Sequence, residues 1–311
     1  MNSSPKTALV TGGAGFIGSH LAERLVREGH RVRILDNLKT GSRENLDNLA
    51  ALAPVDFIEG DLRDPQKVEE AVAGCDWVFH LAALVSVPES FSKLEECEEI
   101  NSRGTLHLLR AASRQASRFL SASTCAVYGD ARTLPIAETA PLDPLSPYAA
   151  AKLAAEWHCR HIAQTTPLQT LSLRFFNVYG PRQRADSPYS GVIAKFIDAA
   201  KRGQAPTIHG DGGQTRDFIH VTDVAACLLR CASSETPFTP GLALNVGTGE
   251  AVSLLTLWEA IEKAAGLSLP PLFAPPRQGD IRHSRADARK ALDLFGWKAE
   301  CPLAQGIATL L

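Results

Sequence analysis

The stretch TALVTGGAGFIGSHLAERLVR, residues 7–27, narrows the folds open to this chain more than any other. A short apolar run ends in glycines, and Gly12, Gly15 and Gly18 recur at three-residue intervals before a segment with helical spacing, read as a helix over Ser19 to Arg27. Such glycines let the backbone turn tightly and approach a pyrophosphate, whose charge the free N–H groups and dipole of the helix start stabilise. Alone, the pattern is weak evidence, because glycines also serve ordinary tight turns. The context strengthens it: a second strand, RVRILD, ends in Asp36 about 20 residues further on, where an acid accepts hydrogen bonds from a ribose diol. A carboxylate there repels a 2′-phosphate, so the cofactor read from these residues is NAD rather than NADP.

The same rhythm continues. The apolar runs RVRILD, VDFIEGD, WVFHLA, RFLSAS and LQTLSLRFFN alternate with helical patterns near 16–28, 65–73, 92–115 and 147–164, with a polar loop after RVRILD. This βαβα alternation of continuous apolar strands predicts a Rossmann-type α/β fold, a doubly wound parallel sheet covered on both faces. After Asn177 the breakers Pro181, Pro188 and Pro206, a GDGG turn at 210–213 and PPLFAPPRQGD at 270–280 predict a smaller α/β substrate lobe. The expected division is 1–176 and 177–311. The chain is expected to return to the first unit at about 214–247, where TRDFIHVTDVAACLLRCA reads as a strand, a Thr222 cap and a helix, and ALNVGTG as a strand.

Composition limits the partners. With 311 residues, 45% of them hydrophobic, the chain can fill a sizeable core, and 32 Lys plus Arg against 34 Asp plus Glu leave no basic footprint for nucleic acid. MNSSPKTALVTGG leaves no room for a leader and no window approaches the roughly 18 to 20 apolar residues of a membrane span, so a soluble cytoplasmic protein without a membrane partner is expected. The seven cysteines are scattered without a CxxC pair, which suits a reducing compartment. Cys227 and Cys231, four apart on a helix, read as core packing rather than a metal site, and no metal is expected.

YAAAK at 148–152 sets Tyr148 and Lys152 on one face at a helix start. A phenol with pKa near about 10 is a poor base, but a nearby ammonium and a positively charged nicotinamide both favour the phenolate. A lone pair of this kind would read equally well as surface residues on an Ala-rich helix. Asp61 in EGDLRD either hydrogen-bonds an adenine amino group or caps the next helix. Ala82 and Ala83 are small where the cofactor would pass, a position that buried packing explains as well.

Together, TGGAGFIGSH (11–20), LDN (35–37), GDL (60–62), HLAA (80–83), Asn101, TCAVYG (124–129), YAAAK, RFFNVYGPRQ (174–183), RDFIHVTDVA (216–225), NVGTG and RQGDIRHSRAD (277–287) resemble the extended short-chain dehydrogenase/reductase family, and within it the nucleotide-sugar epimerases and dehydratases, along essentially the whole chain. The resemblance implies NAD contacts from Gly12, Gly15, Phe16, Ile17 and Gly18, from Asp36, Asn37, Asp61 and Leu62, and from Leu81, Ala82, Ala83, Asn101 and Phe175. It implies that Thr124 hydrogen-bonds the reacting hydroxyl, that Tyr148 is the base, and that Lys152 holds the cofactor ribose and lowers the tyrosine's pKa. Asn177, Arg216, Arg277 and Asp280 match positions that hold the sugar and its nucleoside diphosphate. A lone arginine is otherwise a surface ion pair by default. A homodimer through the helices near 92–115 and 147–164 is also implied.

Relatives that eliminate water carry Asp and Glu directly after the threonine, and relatives that decarboxylate a sugar acid keep a Glu two positions after it. Here those positions are Cys125 and Ala126. The resemblance therefore implies 4-epimerisation of a UDP-hexose, ahead of a dehydratase or UDP-glucuronate decarboxylase and of a non-catalytic NAD-binding protein. Ser284 matches a position where a small residue admits 2-acetamido sugars, although a serine on a surface loop is an equally good reading. Phe175, Val178 and Val85 stand where plain galactose epimerases tend to carry Tyr, Pro and Lys.

Overall fold

The computed structural model describes residues 4–184, 191–276 and 281–311, so Arg277 and Asp280 lie outside the described residues. The first part of the chain runs β1 (Thr7–Thr11), α1 (Phe16–Arg27), β2 (Arg31–Asp36), α2 (Arg43–Ala50), β3 (Asp56–Glu59), α3 (Pro65–Val72), β4 (Trp77–His80), α4 (Val87–Ser92), α5 (Leu94–Glu98), α6 (Thr105–Ala112), β5 (Arg118–Thr124), α7 (Pro147–Thr165) and β6 (Gln169–Phe175). Beyond it come β7 (Asn177–Tyr179), α8 (Val192–Lys201), β8 (Thr207–His209), β9 (Thr215–Arg216), β10 (Phe218–His220), α9 (Val221–Ser233), β11 (Ala243–Val246), β12 (Val252–Ser253), α10 (Leu254–Ala265), β13 (Leu272–Ala274), α11 (Arg289–Phe295) and α12 (Leu303–Ala308).

Seven parallel strands form the main sheet in the order β11-β6-β5-β4-β1-β2-β3. Their apolar runs are continuous because both faces are covered. One face packs Leu21, Leu25, Phe79 and Leu173 with Leu228 of α9; the other packs Leu9, Val78, Leu108 and Phe119 with Ala151 of α7. β1 lies between β2 and β4, so successive connections leave it in opposite directions. That switch point opens a crevice at the carboxyl ends of the strands, where ligands of such sheets bind. The last strand, β11, joins the edge of the sheet beside β6 after the chain has passed through the short ladders β7–β10, β8–β13 and β9–β12. A separate core around Phe196, Ile208, Leu257 and Trp258 holds those outer elements.

Two local readings are corrected and one is refined. The polar stretch after β2 contains α2, capped by Ser42, whose hydroxyl accepts the Glu44 N–H; Leu49 is its only buried residue, too little apolar surface to leave a periodic signal. The long helix near 92–115 is a continuous helical run over 94–112, in which α5 and α6 are joined by a π-helical turn over Glu99–Gly104; α4 ends before it at a break at Lys93. Helix α9 begins directly after β10, so its cap is His220, whose ring accepts the Thr222 N–H, and not Thr222 itself.

Candidate active site

The glycine loop is built as a cradle. Gly12 has φ +71°, open to glycine without strain, and a Cβ there would lie 2.8 Å from the Ala82 nitrogen. A Cβ on Gly18 would lie 2.1 Å from the Gly12 oxygen, so the helix can start this close to the strand only with glycine at that position. Gly15, the N-cap of α1, is different: a Cβ there meets only the Gly12 oxygen, at 3.1 Å. A side chain at Gly15 thus presses on one backbone oxygen, a milder conflict than at Gly18, and a phosphate seated on the helix start would add to it. No side chain caps α1 and no acid stands in its first turn, so the positive end of the helix, with half-buried Phe16 and Ile17, is not neutralised by the chain itself. These features fit a dinucleotide.

Asp36 closes the cradle. It is buried, and its two carboxylate oxygens accept the N–H groups of Ala14 (3.0 Å) and Leu38 (2.8 Å), which fixes the loops on either side of it. Burial raises its pKa despite these bonds. Asn37 donates to Asp61 (2.9 Å), and Asp61 also receives both the backbone N–H and the guanidinium of Arg63, which holds its carboxyl well below the usual range. The cap of α3 is Asp64, so Asp61 does not serve as that helix cap. Leu62 is buried beside it.

The wall opposite Gly12 is residues 81–84, and a chain of directed hydrogen bonds secures it. The Thr11 hydroxyl accepts the N–H groups of Leu81 and Ala82, both at 3.2 Å, so its own proton goes to His80 Nδ1 at 2.9 Å. His80 must then carry its proton on Nε2 and donate to Thr105 Oγ1 (2.8 Å), which donates to the Asn101 carbonyl (2.6 Å). Burial keeps this histidine neutral, with a pKa lowered to about 3. The Asn101 side chain accepts from the Leu84 N–H (2.8 Å) and donates to the Leu84 carbonyl (2.9 Å) across 17 residues. Fully buried in the π-helical turn, it holds the wall in place, and Ala83 stays half-buried at the rim.

Tyr148 and Lys152 are brought to this crevice by α7, which Ser146 caps and Pro147 starts. The Tyr148 N–H reaches Ser90 Oγ of α4 (3.2 Å), and the phenol faces Thr124 at the end of β5. Burial raises the phenol far above its ordinary pKa, and Thr124 works in the opposite direction. Lys152 is 4% exposed, donates to the Ala122 carbonyl (3.0 Å), and is lowered by burial to about 8, with the Cys97 and Cys159 thiols acting against that shift. The surface-residue reading of this pair is thereby excluded. Phe175, paired with Thr124 on the neighbouring strand, is buried behind them.

On the far side of Thr124, Cys125 is half-buried and faces Ser284, with Asp217 and Arg216 within electrostatic reach. Ser284 is buried, so it is not a surface-loop serine. Asn177 begins β7, and its Oδ1 is buried with no hydrogen-bond partner among the described residues. Arg216, on β9, donates to the Thr215 carbonyl (2.9 Å). No group of three or more His, Cys, Asp or Glu among the described residues is placed to hold a metal, and no helix there is long and apolar enough to cross a membrane.

Sequence reasoning missed two buried anchors. Asp217 accepts four bonds, from the Thr248 N–H and hydroxyl, the Gly249 N–H and the Ala286 N–H. Glu156 and Arg174 form a bidentate pair behind the site (2.7 and 3.0 Å). A buried acid inside RDFIHV and an arginine inside an apolar strand were the available signals; their partners lie too far along the chain to be paired by spacing.

The dinucleotide cradle, the Tyr–Lys pair and the parallel sheet define a class of nucleotide-dependent enzymes working at a switch-point crevice. Residues 8–247 match the model of the NAD dependent epimerase/dehydratase family, and the chain belongs to that family. It is similar to the UDP-glucose 4-epimerase of Mycolicibacterium smegmatis, with 38% identity covering 96% of each chain. It is also 32% identical to UDP-glucuronic acid decarboxylase 1 of Danio rerio, over 97% of this chain and 71% of that protein. Among solved structures, UDP-N-acetylglucosamine 4-epimerase from Methanobrevibacter ruminantium M1, in complex with UDP-N-acetylmuramic acid, superposes with a TM-score of 0.92 at 35% identity, covering 99% of this chain and 98% of that one.

Proposed function

We propose that the protein is an NAD-dependent 4-epimerase of UDP-hexoses, acting on the UDP-glucose/UDP-galactose pair and on its 2-acetamido counterparts. The observation that carries this reading is the absence of proton-transfer groups after Thr124. Ala126 has none, and burial pushes the Cys125 thiol up to about 11, so it stays protonated at neutral pH. The neighbouring carboxylate, Asp217, is fully buried and committed to four donors. Elimination or decarboxylation needs further acid–base groups, and what remains supports oxidation and re-reduction of one carbinol carbon.

NAD, when bound in the cradle, supplies a two-electron acceptor that returns what it takes within one turnover. Tyr148 takes the proton of the 4-hydroxyl, and Thr124 shares the developing charge. The protonated Lys152 favours the phenolate and keeps further N–H donors for a ribose hydroxyl. Asn177 and Arg216, with Arg277 and Asp280, hold the sugar and diphosphate while the 4-keto sugar turns over and is reduced on its other face. The small Cys125–Ser284 contact supports room for an acetamido group.

Incubation with UDP-glucose and UDP-N-acetylglucosamine without added cofactor, followed by NMR, is expected to yield the C4-inverted sugars, with UDP-glucuronate included to reveal a decarboxylase. A 4-keto-6-deoxy or pentose product would overturn the assignment in favour of a lyase, and no turnover would favour a non-catalytic role.

The assembly is read as a homodimer through α4, α5 and α7, where Phe91, Leu94 and Trp157 are 62%, 57% and 46% exposed. Light scattering after gel filtration should give twice 33.4 kDa, falling to one chain for Phe91→Asp/Leu94→Asp; a monomeric wild type would refute the dimer. Seven free thiols support a reducing, cytoplasmic setting. A dinucleotide domain over 1–176 that regains the chain at about 214–247, with a substrate lobe over the rest of 177–311, remains our division of labour.

A further inference from the structure

We infer that Asp217 is a positioning residue for the nucleotide-sugar side of the site, an inference that rests on the function proposed above. Its carboxylate joins three chain segments that meet only in the folded protein. Oδ1 accepts the Thr248 N–H (2.8 Å) and Thr248 hydroxyl (2.7 Å), and Oδ2 accepts the Gly249 N–H (2.9 Å) and Ala286 N–H (3.0 Å). Its own carbonyl accepts the Asn177 N–H at 2.9 Å. The joint is close-packed: a Cβ on Gly247 would lie 2.8 Å from Asp217 Oδ2 and 2.7 Å from the Ala286 Cβ.

Groups assigned to the substrate lie within two residues of Asp217 itself and of Ala286, and one is held by the Asp217 carbonyl; the 248–249 turn is the anchor. Asn177 is held directly, Arg216 is the preceding residue, and Ser284, which touches Cys125, is two residues before Ala286. The Ser284 N–H in turn donates to the Thr215 carbonyl (3.1 Å), so the 284–286 segment is tied to the strand carrying Arg216 at both ends. The cofactor cradle, by contrast, is held by Thr11, Asp36, His80 and Asn101, none of which contacts Asp217. Asp217 thus acts on one half of the site.

An amide cannot replace this carboxylate. Asparagine offers one acceptor oxygen; with its NH2 in the Oδ1 place the Thr248 hydroxyl can turn to accept but the Thr248 N–H loses its acceptor, and in the Oδ2 place both the Gly249 and Ala286 N–H groups do, so Asp217→Asn must break at least one bond. With the holoenzyme, we expect Asp217→Asn to raise the KM for UDP-glucose and the calorimetric Kd of UDP by about tenfold or more, with retained NAD unchanged and kcat within about threefold, in keeping with lost bonds to a charged group. Thr248→Val removes one of the four bonds to Asp217, along with the bond the hydroxyl accepts from the Glu250 N–H, and should raise both by about threefold; it serves where the first variant does not fold. Unchanged KM and Kd in the variant that folds would overturn the inference, as would NAD loss in parallel with substrate affinity. The UDP titration separates the two readings: if the protein turns over no UDP-hexose, the shift in UDP affinity still reports on Asp217.

Discussion

Tyr148→Phe is expected to lower kcat for C4 inversion by about 10²–10⁴-fold, the usual contribution of a positioned acid–base group. The ring keeps its place at the start of α7, where its backbone is held by Ser90 and the helix by Ser146. Only the hydroxyl facing Thr124 is lost. NAD content and UDP affinity should therefore match wild type, because the groups of the cradle and of the Asp217 joint are untouched. Initial rates by NMR and cofactor content by absorbance check both halves. A variant within tenfold of wild-type turnover would remove Tyr148 from the proton-transfer step, and loss of NAD in proportion to rate would make its role structural.

Glu156→Gln should cost the fold about 3–5 kcal/mol, as expected when one partner of a buried ion pair is removed. The side chains of Arg174 and Glu156 are 5% and 10% exposed, and burial opposes the arginine's charge. The Glu156 carboxylate more than offsets that penalty and holds the guanidinium pKa above its ordinary value. Glu156 also accepts from Ser123, beside Thr124, while Arg174 donates to the Tyr128 hydroxyl (2.9 Å), which donates to Asn245 (2.7 Å). The pair thus ties together β5, β6, α7 and β11. Denaturant unfolding at fixed, saturating NAD is the measurement, since bound cofactor adds its own stability. A loss below about 1 kcal/mol would show that water or rearrangement satisfies Arg174, contrary to the burial seen here.

How much could be read in advance depended on how local each signal was. Gly12, Gly15, Gly18 and Asp36 were legible because a tight turn, a helix start and a strand end are all written within a short span. Tyr148 and Lys152 share a face because a helix places residues four apart together. The π-helical turn inside the helix over 94–112 was not legible, because Asn101 within it is committed to Leu84, a partner outside that helix. Nor was the commitment of Asp217, whose acceptor atoms meet donors 31, 32 and 69 residues away.

By itself, the sequence determined the parallel sheet, the dinucleotide loop and the kind of side chain available for chemistry, since these follow from periodicity, backbone freedom and residue type. Only the tertiary structure decided which of those side chains meet: that Thr124 faces Tyr148, that Ser284 is buried against Cys125, and that Asp61 pairs with Arg63 and does not cap α3. The reason is physical. Hydrogen bonds and burial act over a few ångströms in space, and the strand order that brings β5, α7 and the 284–286 segment together is set by the packing of the whole sheet, not by the residues beside them in the chain.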